Sequence, residues 1–139
     1  MKHIPAVMAM MALLATSAAS ASAAAMSYPQ LEACAGYTQR MQTEAPALLA
    51  QDRRNAELRN YYNAGNGSQD DKLAFNQQMQ KYRQDVIALN QVKEAFAQQC
   101  AGRNARMSDV EKLPDALRQA WRRGLDHVEV PYLGPSTTP

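Results

Sequence analysis

Ala64-Gly65-Asn66-Gly67-Ser68 separates two long stretches of helical periodicity. Glycine takes up the left-handed backbone that ends a helix without steric cost. Ser68 is a good N-cap for a following helix, and Asp70 and Asp71 fall in its first turn, where the helix dipole favours negative charge. The stretch reads as the turn of an antiparallel helical hairpin. The only two cysteines, Cys34 and Cys100, stand at equal distances from position 67, inside that turn.

Downstream, Phe75, Met79, Tyr82, Val86, Leu89, Lys93, Phe96 and Cys100 step by alternating fours and threes. This is a heptad seam. It predicts one helix from about Gln69 to Cys100, with Val92 covering the apolar gap left by Lys93. Upstream, Ser27-Tyr28-Pro29 reads as a helix start, since proline is tolerated in the first turn. Leu31, Cys34, Thr38, Met41, Ala45 and Leu48 then form a matching seam. It continues through Asp52, Asn55, Leu58 and Tyr62. Pro46 interrupts this run, and an internal proline loses one hydrogen bond and clashes with the preceding turn. A kink or break with the direction kept is expected there.

In an antiparallel pair, facing positions have a constant sum. If Cys34 faces Cys100 the sum is 134, and Thr38, Ala45, Leu48 and Asn55 then face Phe96, Leu89, Val86 and Met79. Small residues meet large ones in several layers, as interdigitated packing requires. The periodicity and the cysteine positions arrive at this register independently. A Cys34–Cys100 disulfide at the open end of the hairpin follows. Asp52, Asn55 and Lys93 are polar seam positions, expected to be wet or to snorkel outward; a register-setting role is the alternative.

After the second helix, Arg103 to Met107 reads as a connector. Ser108-Asp109-Val110-Glu111 matches a capping box. Leu113-Pro114-Asp115 restarts the chain into a short helix over Ala116 to Arg123, ended by Gly124. From Asp126 onward, Val128, Val130, Pro131, Tyr132 and three further Gly or Pro residues predict an extended or disordered tail. The expected fold is all-α: an antiparallel, coiled-coil-like hairpin closed by one disulfide, with a short C-terminal helix and that tail.

The first residues have another character. Lys2 and His3 precede a dozen apolar residues from Ile4 to Ala15, and small residues follow to Ala25. This is the layout of a secretory signal peptide, with an apolar core too short to span a bilayer. Cleavage is expected after Ala25 or Ala23. Three segments result: a leader over 1–25, a hairpin domain with its C-terminal helix over 26–125, and a flexible tail over 126–139. An oxidising compartment suits a paired Cys34 and Cys100. Leu31-Glu32-Ala33-Cys34 loosely resembles a lipobox, but Glu32 fits badly and Cys34 lies well beyond the apolar core.

The formal charge of the whole chain is +2, and loss of Lys2 brings it near +1. That is no electrostatic footprint for nucleic acid. After the leader one histidine remains, His127, and with both cysteines bridged it cannot build a closed zinc site. As a general base it would need a nucleophile and an orienting acid, and Asp126 is only its sequence neighbour while Ser136 falls on the expected tail. No cofactor motif, Cys-x-x-Cys pair or phosphate-binding lysine loop is present.

The most suggestive patch is Arg118, Trp121, Arg122 and Arg123. Arginines around a tryptophan on an amphipathic turn grip anionic partners or a membrane interface. The plainer expectation is that Trp121 and Leu117 pack on the hairpin while the arginines are solvated, because a two-helix hairpin needs a third element to cover its seam. The functional expectation is a non-enzymatic interaction or structural module of the bacterial envelope, periplasmic or secreted, partnered by another envelope or secreted protein or by its own copy. An anionic lipid or glycan binder through Arg118–Arg123 is the first alternative. An inhibitor or immunity-type protein that docks on an exported enzyme is the second.

Overall fold

A computed structural model describes residues 24–133. The expected leader, apart from Ala24 and Ala25, and the last part of the expected tail lie outside them. Among the described residues there are four helices and no strand: α1 (Tyr28–Asn63), α2 (Gln69–Gln99), α3 (Met107–Val110) and α4 (Asp115–Arg123). At 1.5 Å per residue α1 is about 54 Å long and α2 about 46 Å.

Both long helices start on capping boxes. Ser27 Oγ accepts from the Gln30 amide while Gln30 Oε1 accepts from the Ser27 amide. Ser68 and Asp71 make the same exchange at the head of α2. The Ser68 hydroxyl also donates to the Asp71 carboxylate. These bonds, the hydroxyl's first and the amide's second, hold the Asp71 carboxyl below its ordinary pKa.

The turn between α1 and α2 runs through Gly65 and Gly67 with φ of +88° and +78°. At Gly67 a Cβ would lie 2.6 Å from Cε1 of Tyr62, whose ring packs on Phe75 at 5.3 Å between centroids. At Gly65 an added Cβ meets open space. Both alanine variants incur left-handed strain of about 1–2 kcal/mol, but only Gly67→Ala also displaces an aromatic ring. Chemical denaturation is expected to rank Gly67→Ala as the less stable of the two; equal midpoints would remove the steric argument.

The disulfide Cys34–Cys100 closes the other end, with Cα atoms 5.7 Å apart. Near the turn Asn55 Oδ1 accepts from Gln78 Nε2 at 2.9 Å, within one residue of the register that the cysteines define. Along the seam Leu31, Cys34, Thr38, Met41, Ala45, Leu48 and Asn55 are buried on α1, and Phe75, Tyr82, Val86, Leu89 and Val92 on α2. Thr38 satisfies its hydroxyl by donating to the Cys34 carbonyl one turn back. Asp52 and Lys93 are exposed, as snorkelling predicts, and Val92 takes the buried place beside Lys93. Asn55 departs from that pattern: it is fully buried and bonds across to α2, and its Nδ2 has no partner among the described residues.

Two further expectations are narrowed or changed. Of the kink or break expected at Pro46 the break does not occur: α1 is one helix to Asn63, with the proline on its exposed side. An internal proline costs about 3 kcal/mol. Ala45 and Leu48, buried against α2 on either side of it, hold the helix together, because tertiary packing supplies most helix stability in proteins. The capping box at Ser108–Glu111 does not form. α3 begins two residues earlier, at Met107, with Arg106 as an N-cap that makes no side-chain capping bond. Glu111 turns instead toward α4, where its carboxylate pairs with Arg122.

The core has two parts. Around the disulfide, Met26, Leu31, Cys34, Ala35, Cys100, Val110 and Leu113 pack together, with Leu117 and Trp121 against them. The Met26 amide donates to the Asn104 carbonyl at 2.8 Å, and its sulfur lies 3.7 Å from Cys34 Sγ. The second part follows the seam from Met41 to Tyr82. Leu125, Val128 and Val130 lie on it: the chain after α4 first turns, with the Val128 amide donating to the Leu125 carbonyl at 3.0 Å, and runs without regular structure from Val128, held against the hairpin. Asn90 Nδ2 fastens that segment by donating to the Pro131 carbonyl at 2.8 Å.

Candidate functional site

The patch singled out by sequence is brought together on α4, but its groups are engaged. Trp121 is half-buried against the disulfide end of the core, with Leu117. Arg118 donates to the Glu111 carbonyl at 3.0 Å and pairs with Asp115; Arg122 pairs with Glu111. Of the three arginines, Arg123 alone makes no ion pair among the described residues. α4 is itself clamped to α1. Gln42 Nε2 donates to the carbonyls of Ala120 and Gly124, at 2.9 and 2.7 Å, so one amide collects the last carbonyls of the short helix. This segment closes over the clasped end of the hairpin, the role expected of a third covering element.

The covering stops part-way. On α1, Gln42 and Asn63 occupy the same heptad position; on α2, so do Ala97, Asn90, Arg83 and Asn76. Residues spaced by sevens share one side of a coiled-coil helix. Beside Gln42 and Asn90 this side of the α1–α2 crevice is covered by α4 and the segment 125–133, which leave a cavity of about 250 Å³ beside Phe96 and Ala97. Beside Asn63, Arg83 and Asn76 it is open. A groove of about 820 Å³ lies there, lined by Arg59, Tyr62, Asn63, Lys72, Phe75, Asn76, Met79, Gln80 and Arg83.

The floor of the groove is aromatic and aliphatic: Phe75 is at the margin of burial, and Tyr62 and Met79 are half-buried. The rim is basic. Arg59, Lys72 and Arg83 have no carboxylate within salt-bridge distance among the described residues, and none of the lining residues is acidic. The ion pairs on the long helices, Arg40–Glu44 and Lys81–Asp85, lie outside this groove. Tyr82, deep in the seam nearby, has its phenol pushed above the ordinary value by burial and, secondarily, by the Asp52 carboxylate. It is a neutral packing group at physiological pH.

Comparison with protein-family models, curated proteins and solved structures finds no match to this chain. The chemistry of the groove must therefore be read from its own residues. Among the described residues no three His, Cys, Asp or Glu side chains come close enough to hold a metal. His127 is exposed in the turn that follows α4. The groove thus has cations at its rim, amides between them and an apolar floor, with the Tyr62 phenol and the Lys72 amine among its lining groups.

The groove escaped the sequence reading, although a signal for it exists. Lys72 continues the Met79–Val86 seam row by one heptad, and Arg59 continues the Ala45–Asp52 row. Cations at seam positions near the tip of a hairpin indicate a seam that opens to solvent. The apolar repeat draws attention to where the seam is dry and away from that end.

Proposed function

We propose that this chain is an exported, non-enzymatic interaction module of the bacterial envelope. Its clasped half is a self-covered scaffold, and its distal half presents the open crevice to another protein. The observation that carries the reading is the change along one crevice, covered by α4 and the segment 125–133 near the disulfide and uncovered beyond Arg83, where the groove is about 820 Å³. Export is supported by the leader-like N-terminal sequence and by two cysteines joined in a bridge. No helix among the described residues is long and apolar enough to cross a membrane. The alternative through Arg118–Arg123 gains less support, since two of those arginines are paired within the chain and Trp121 is packed.

Site-specific photocrosslinking in the envelope tests the reading. A photoreactive residue at Gln80, in the groove, is expected to give discrete heavier adducts. The same residue at Gln98, exposed on the outer side of α2 in the clasped half, is expected to give none. Adducts whose second component is an exported enzyme would assign the inhibitor or immunity-type role; adducts of twice the chain mass would assign self-association. No adduct from Gln80, Asn76 or Asn63 would count against an interaction module.

A further inference from the structure

We propose that the distal crevice is a docking site for an extended, acidic peptide segment of a partner protein, seated as the chain's own segment 125–133 is seated in the proximal crevice. The inference rests on the interaction-module reading and names the chemistry of the partner.

The proximal half displays the binding mode. Leu125, Val128 and Val130 rest on the seam, and Asn90 fixes the backbone by donating its amide to the Pro131 carbonyl. After the turn at 125–127, the stretch from Val128 to Pro131 thus lies along the crevice between α1 and α2, with Val128 and Val130 toward the seam and Glu129 exposed. The alternating pattern of a strand sends apolar side chains to the floor and the others to the rim. Asn76 sits on the same side of α2 as Asn90, two heptads nearer the turn, about 21 Å away at 1.5 Å per residue. It offers the distal crevice the same kind of amide that fastens that stretch in the proximal one. Phe75 and Met79 supply the apolar floor there.

The rim sets the charge of the ligand. Arg59, Lys72 and Arg83 surround the floor with no carboxylate among the lining residues. Lys72 and Arg83 are spaced by about 16 Å along α2, the length of about five residues of extended chain. A segment of that length with alternate apolar and carboxylate side chains satisfies floor and rim together. Charge-assisted pairs at such a rim add both attraction and register. A second copy docking through the same groove would bring two basic rims face to face, so like charge disfavours a symmetric pair.

The test uses the full exported chain with its disulfide intact. The probe is a fluorescent peptide of alternating glutamate and valine, followed by anisotropy, with a lysine–valine peptide as counterpart. Saturable binding of the glutamate peptide alone is expected, weakening as salt rises. The double variant Lys72→Glu/Arg83→Glu is expected to lose about tenfold or more in affinity, and Asn76→Ala a smaller factor. Both keep the wild-type melting temperature, because these side chains lie outside the core. Absence of saturable binding, or equal affinity for the double variant, overturns the proposal. So does binding to phosphatidylglycerol vesicles that the double variant abolishes while the peptide is ignored, which would make the groove a lipid site. A dimer by sedimentation that the double variant dissociates overturns it in favour of self-association. Crosslinked adducts from Gln80 with no peptide binding would leave the interaction module standing and reject only this partner chemistry; failure of both rejects both.

Discussion

Reducing the Cys34–Cys100 bridge is expected to lower the thermal midpoint by about 15 °C. The bridge spans a sequence separation of 66, and closing a loop of that size in the unfolded chain is worth about 4 kcal/mol in the chain-entropy model. A domain of this length shifts by about 4 °C for each kcal/mol. The effect is large because a chain of this size is stabilised overall by only about 5–15 kcal/mol. Both sulfurs are buried, with Cys34 and Cys100 each 2 % exposed, so reductant reaches the bond only after the clasped end opens. The paired variant Cys34→Ala/Cys100→Ala should reproduce the loss without reductant. Calorimetry of oxidised, reduced and variant chains checks this, together with thiol counting by mass under non-reducing conditions. Coincident midpoints, or two free thiols in protein purified without reductant, would refute the clasp.

The second large effect is Leu89→Ala, set against its near neighbour Ile87→Ala. Leu89 is fully buried among Met41, Ala45 and Val86. Its truncation is expected to cost about 3 kcal/mol through lost transfer energy and a residual cavity. Ile87 is 53 % exposed on the polar side, and its truncation should stay within about 0.5 kcal/mol. Each residue has the same number of side-chain carbons and sits inside α2, so the contrast isolates helical phase. Urea titration of the two variants reads it directly, and similar losses would contradict the heptad register.

Most of the hairpin was legible because two independent periodicities converge on one register. Leu31 to Leu48 and Phe75 to Cys100 each repeat by threes and fours, and the cysteines demand that their ends meet. The turn and its capping serine follow from local chemistry, which needs no tertiary information. What was not legible depends on surfaces far apart in sequence. Gln42 is one polar residue among many on α1 until Ala120 and Gly124 arrive beside it. Val128 and Val130 alternate like a strand, but nothing local says that a helical crevice will receive them. The continuity of α1 across Pro46 and the failed capping box at Ser108 have the same origin: packing partners outweighed a local preference. The basic groove required knowing where the covering ends, which is a property of the whole assembly and not of any motif.

Joining the chain at residues 34 and 100, opposite the exposed turn at 64–68, has a consequence for survival among proteases. The turn is the most accessible link between the long helices, and a nick there frees no fragment, because the sulfur bond still binds the two halves. The severed ends would sit at the tip, while the buried seam and the clasped base stay intact. A cleaved molecule can thus persist as a two-chain protein with its helices in place, and only the combination of cutting and reduction disperses it.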